Sequence, residues 1–151
     1  MLLSGRLVRL IQDHSQGVAN DLTERIGAHP ELPVLAKRPI QELHNWCAEQ
    51  IGYLNSSLLA KGEEIRGRYQ SFGRARFEES IPLHEAVLRF FLLKDTVIEF
   101  VHTQGLPMSA VDLYAQEELE QRICRFFDAA VYHVVCGYEQ AMRTPAGVHR
   151  H

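Results

Sequence analysis

Apolar residues return at every third or fourth position along most of the chain, and no stretch alternates strictly between apolar and polar over the length of a strand. That period stacks side chains on one face of a helix and argues against a sheet-based core. Leu3, Leu7, Leu10, Ile11, Val18, Leu22 and Ile26 form the first row, read as one helix that stops at Gly27 with Pro30 and Pro33 close behind. Pro39 opens a second helix, in which Ile40, Leu43, Cys47, Ile51, Leu54 and Leu58 make the stripe and Gly62 marks the end. Trp46 and Tyr53 lie on its flank. A third segment carries Ile65, Tyr69, Phe72 and Arg76, but Gly67 and Gly73 weaken it, so a short or bent helix is expected. Pro82, with Glu85 in the first turn, starts a fourth that ends at Gly105 and Pro107. Ser109 and Asp112 have capping-box spacing for the last helix, whose face is Leu119, Ile123, Phe126, Phe127, Ala130, Val134 and Tyr138. Its pattern extends over more than about 30 residues. The expected fold is all-α: a single-domain bundle of about five main helices over residues 1–143, with a globin-like or four-helix-bundle-like core. Residues 144–151 read as a disordered tail.

A chain of 151 residues builds one sizeable core and has no room for two. Its formal charge of -3 interleaves both signs, which gives no general attraction to nucleic acid or to an anionic membrane. The N-terminal MLLSGRLVRLIQDHSQ is interrupted by arginines and reads neither as a signal peptide nor as a membrane span. The three cysteines, Cys47, Cys124 and Cys136, lack metal-ligand spacing. Cys124 and Cys136 fall in one helix roughly 18 Å apart, too far to bridge. Buried thiols in a reducing, cytoplasmic setting are the expectation.

On the fourth helix, the row expected to face the core is Leu83, Val87, Phe90, Val97 and Val101, and Lys94 falls among them. Either the face lies elsewhere, or the ammonium reaches out along its methylenes, or it meets a carboxylate or a bound anion inside. In the last case Arg76 is the nearest candidate for a second cation, and Tyr69 and Trp46 have polar tips suited to the same interior space. Lys94, Arg76, Tyr69 and Trp46 are therefore the candidate ligand residues, for a small acidic ligand. The alternative is a structural ion pair of Lys94 with Glu78, Glu79 or Glu99. Leu88 and Leu92 lie nearly opposite the core row, and Cys124, Val131, Val135 and Met142 widen the apolar face of the last helix. Such surplus is covered either by a thick bundle or by a second copy, which makes Leu88, Leu92, Val131 and Val135 candidates for a homodimer interface.

Eight histidines invite a metal or haem reading. His84 and His102 are roughly 27 Å apart on their helix and cannot share an ion. Glu99 and His102 make one Glu-x-x-His, the half-motif that di-iron bundles use twice, and no second copy occurs. His133 has the position of an axial haem ligand or of a partly buried, hydrogen-bonded residue. No metal or cofactor site is assigned. Nucleophile elbows, phosphate loops and Cys-x-x-Cys are absent, and the carboxylates of KGEEIRG and FEES read as solvated faces, so no catalytic group is assigned.

The segments YQSFGRARFEESIPLHEAVLRFFLLKDTVIEFVHTQG and EELEQRICRFFDAAVYHVVCGYEQA together resemble the RsbRD N-terminal family. The likeness rests on Gly73, Arg74 and Arg76, on Ile81 and Pro82 opening a helix, on Leu92, Leu93 and Lys94, and on Phe126, Phe127, Asp128, Gly137 and Tyr138. These are packing and turn residues spread over essentially the whole chain. The resemblance implies a helical sensor-like domain of the kind placed ahead of STAS, histidine kinase or PucR-type outputs. It implies a non-enzymatic, dimeric input module that signals through its C-terminal helix to a regulatory partner or output domain. Only EQAMRTPAGVHRH follows Tyr138, so a stand-alone module and a piece of a longer protein are both consistent with it. A metal- or haem-binding helical bundle is the alternative reading.

Overall fold

The computed structural model describes residues 3–59, 64–105 and 108–144. The described residues form seven helices and no strand: α1 (Leu3–Asp13), α2 (Ser15–Ala28), α3 (Pro33–Ala36), α4 (Ile40–Leu59), α5 (Ile65–Glu78), α6 (Leu83–Gln104) and α7 (Ala110–Arg143). They enclose one hydrophobic core, and the all-α expectation holds. The end expected at Gly62, Pro107 and the residues after Thr144 lie outside the described residues.

The first row is two helices rather than one. His14 takes φ -109° and ψ 23°, outside helical values. Its Nδ1 donates to the Leu10 carbonyl at 3.0 Å, the same oxygen that receives the His14 backbone N–H at 2.9 Å. A side chain competing for a ladder carbonyl loosens the helix at that point. The break lets α2 pack on α4 and α6 while α1 reaches α7. The segment read as a proline break also holds the single turn α3, with Pro33 in its first turn. Ile40, drawn into the core stripe of α4, is 63% exposed, because the helix begins only there and its first turn projects beyond the core.

α5 is neither short nor interrupted: it runs for 14 residues, and it shares with α7 the most extensive helix contact of the fold. Gly73 and Gly137 explain this. A Cβ on Gly73 would collide with the Val134 carbonyl oxygen, and one on Gly137 with the Gln70 carbonyl oxygen. The two glycines let backbone meet backbone, which outweighs their cost to helix propensity. The turn after α5 closes at Ser80, whose φ of 61° is left-handed, with Ser80 N–H on Phe77 O and Ile81 N–H on Arg76 O, both 3.0 Å. α7 starts as the spacing predicts, with Asp112 N–H on the Ser109 hydroxyl at 3.1 Å, and every residue of its expected face is buried.

The face of α6 is turned from the expected row. Glu85, Ala86, Arg89, Phe90, Leu93, Thr96, Val97 and Val101 are buried, whereas Leu83, Val87 and Lys94 are half-buried. Glu85 is not a solvated first-turn acid. Its carboxylate accepts the N–H groups of Val34 (3.1 Å) and Leu35 (2.9 Å), capping α3 from α6. Pro33 has no N–H, so these two donors are the ones the short helix must satisfy. Leu88, Leu92 and Val131 are half-buried and pack against the core, and Val135 is half-buried. Only Cys47 of the thiols is buried; Cys124 and Cys136 are half-buried because they lie on the flank of α7.

Candidate functional site

The first finding about the site is the position of Lys94. Its ammonium lies 5.4 Å from the Phe91 ring centroid, half-buried and away from the interior, and Glu79 and Glu99 pair with other residues. The interior cation is Arg89. Its residue is 5% exposed, and its guanidinium carbon sits 4.0 Å above the Trp46 ring. That cation–π contact is the partner it has; no hydrogen bond or ion pair holds it among the described residues.

Arg89 lines a cavity of about 270 Å³ between α4, α5 and α6, together with Trp46, Arg76, Arg38 and Glu79. Glu79 spans two of the cations: one oxygen takes Arg38 Nη2 and the other Arg76 Nη2, both at 2.9 Å. Glu42 takes Arg38 Nη2 as well, at 2.8 Å. Even so, four buried N–H donors at this corner have no acceptor: Nε of Arg38, Arg76 and Arg89, and Nε1 of Trp46. A buried donor without a partner is costly, so this corner carries a penalty that an acceptor admitted by a local rearrangement would relieve. Burial pushes the Arg89 guanidinium down to about 9, with Arg76 and Arg38 lowering it further and Glu79 and Glu42 opposing them. It is still a cation at neutral pH.

Of the four expected ligand residues, the structure brings Arg76 and Trp46 to the cavity and leaves Lys94 outside. Tyr69 is fully buried behind it, with its hydroxyl donating to Gln50 Oε1 at 2.8 Å and its ring edge-on to Phe90, which in turn meets Trp46. Arg89 and Arg38 are the residues that sequence reasoning missed, and Glu79, a candidate partner of Lys94, pairs with Arg38 and Arg76 instead. Glu79, read as part of a solvated face, instead organises the corner.

The remaining titratable groups are scattered. Glu99 pairs with Arg25 of α2, whereas His102 Nδ1 meets Glu120 of α7 at 2.9 Å, so the Glu-x-x-His pair is pulled in two directions. His133 is half-buried, its Nδ1 has no hydrogen-bond partner, and the Tyr132 ring lies beside it. Among the described residues no three His, Cys, Asp or Glu side chains come close enough to hold a metal, and no helix is long and apolar enough to cross a membrane.

No family model, curated protein or solved structure matches the chain.

Proposed function

We propose that this protein is a non-enzymatic sensory or regulatory input module of a bacterial signalling system, which takes a small acidic ligand at the Arg89 corner and transmits the change through α7. The observation that carries the reading is the buried guanidinium of Arg89, unpaired beside a cavity and surrounded by further unpaired donors. A fold that only needed packing would place an apolar residue there.

A path from the corner to α7 supports the second half of the reading. Ile81 borders the cavity, and its carbonyl accepts the Tyr138 hydroxyl at 2.7 Å. Phe77, in the last turn of α5, meets Tyr138 edge-on at 5.4 Å. Between them sits Ser80 in its left-handed conformation, a backbone state that costs about 1 kcal/mol and that a shift of Glu79 would relax. Ligand that draws on Arg76 and Arg38 competes with Glu79 for them, moves this turn and biases the end of α7. The resemblance to RsbRD N-terminal domains supports the same direction of signalling, toward a regulatory partner or output domain.

A homodimer through α6 and α7 belongs to the proposal. Phe91 and Tyr132 are exposed beside the half-buried Leu88, Leu92, Val131 and Val135. Light scattering of wild type and Leu92→Glu checks it: a dimer that the variant converts to a folded monomer is expected, and a wild-type monomer at high concentration contradicts it.

Hydrogen exchange tests the sensory reading. Addition of a saturating small anion should protect the corner and alter exchange at the C-terminal turns of α7, while Arg89→Met shows neither. Exchange that stays unchanged across a panel of small carboxylates and phosphates contradicts the reading.

A further inference from the structure

Resting on that reading, we infer that the ligand is a small monocarboxylate, held through the guanidinium of Arg89. Three features of the corner select this class. The first is charge. The lining contains Arg38, Arg76 and Arg89 against Glu42, Glu49 and Glu79, a formal balance of zero. Glu42 and Glu79 hold Arg38 and Arg76, and Glu49, the third carboxylate, is exposed and screened by water, so Arg89 is the buried charge without a counter-ion. One negative charge offsets it; a dianion would bring a second into a space already bordered by three carboxylates.

The second feature is shape. A guanidinium presents its N–H groups as a planar fork that matches the two coplanar oxygens of a carboxylate. The Trp46 ring, whose centroid is 4.0 Å from the guanidinium carbon, offers that fork no hydrogen-bond acceptor in its plane. Its Nε is buried and has no partner. The third is size. The cavity, about 270 Å³ and open to solvent on one side, has room for an acid with a short tail. The ring of Phe72 at the cavity wall offers the tail an apolar contact.

The binding step is an exchange of partners without covalent chemistry. The carboxylate sheds water, accepts from Arg89 and competes with Glu79 for Arg76 and Arg38.

Trp46 is the single tryptophan of the chain, so its fluorescence reports directly on the corner. The experiment titrates wild type, Arg89→Lys and Arg89→Met with acetate, propionate, succinate and inorganic phosphate at constant ionic strength and pH 7, with thermal melting as a second readout. Circular dichroism checks that each variant is folded. The expected result is a saturable fluorescence change and a higher Tm with acetate and propionate in wild type. Binding should weaken at least tenfold in Arg89→Lys, which keeps the charge and loses the fork, and vanish in Arg89→Met. Arg89-dependent binding of phosphate or succinate in preference to acetate overturns the monocarboxylate assignment and leaves the anion-sensing reading standing. An acetate response that survives in Arg89→Met overturns the assignment to Arg89. No response to any of the four anions in folded wild type overturns both.

Discussion

The two sides of α5 are held by opposite physics. Toward α7, Gly73 and Gly137 remove side chains altogether and the helices meet through their backbones, with no space left over. Toward α4 and α6, Arg76 enters a corner where a cavity adjoins four unpaired buried donors and a cation that has only an aromatic ring for company. The first interface is settled by shape and has one arrangement. The second is left electrostatically incomplete, which costs stability and leaves the corner responsive to whatever completes it. Stability and responsiveness sit on the same helix, one turn apart.

The largest effect should come from the tight side. Gly73→Ala forces a methyl group into the Val134 carbonyl and should lower stability by about 3 kcal/mol, the upper part of the range for overpacking. Urea denaturation measures it, and a loss below about 0.5 kcal/mol would mean that α5 and α7 are not pressed together as described. Next is the cap that joins α6 to α3. Glu85→Gln keeps the shape but exchanges a charged acceptor for a neutral one, and should cost about 2 kcal/mol by the same assay.

How far the sequence carried these features depends on what each residue had to reveal. The periodicity located α4, α6 and α7, and the capping spacing placed the start of α7, because burial of one face and satisfaction of end groups are local demands. It failed on α6. Glu85 and Arg89 stand four apart with opposite charge, a spacing ordinary on a solvated helix face, so nothing local marks them as buried. Both residues are buried, for reasons that lie in other segments: the N–H groups of α3 and the ring of Trp46. The glycines of α5 misled in the same way, since propensity is local and the close approach of α7 is not. Arg76 and Trp46 were legible because each sat on a predicted helix near the aromatic stripe. Arg38 was not, and Glu79 was legible only as a partner for Lys94, because both lie beside helix ends whose position only the tertiary fold decides.

Cysteine reactivity compares the settled core with the flank of α7. Burial pushes the Cys47 thiol up to about 12, whereas Cys124 and Cys136 are half-buried. At pH 8 alkylation of Cys47 should be at least about tenfold slower than that of the other two, because the thiolate is the reactive form. Mass spectrometry of a time course reads this, and equal rates would contradict the burial of α4 against the core.

The smallest effect expected is also the most direct test. The Arg89 guanidinium, pushed down to about 9, holds its charge in the folded state at an energetic cost below that pH. The unfolded chain keeps the ordinary, higher arginine value. Above about pH 9 the folded state releases its proton first, so the cost is fully present at neutral pH and falls away as pH rises through that point. Arg89→Met removes the charge and should be more stable than wild type by about 1 kcal/mol at pH 7 without added carboxylate. The decisive measurement is the stability of both proteins by urea denaturation at pH 7, with and without saturating acetate. The account predicts that Arg89→Met is the more stable without acetate, and that acetate stabilises wild type alone and closes or reverses the gap. A wild type that is more stable than Arg89→Met without acetate, and that gains nothing when acetate is added, would make Arg89 a structural residue and contradict the account.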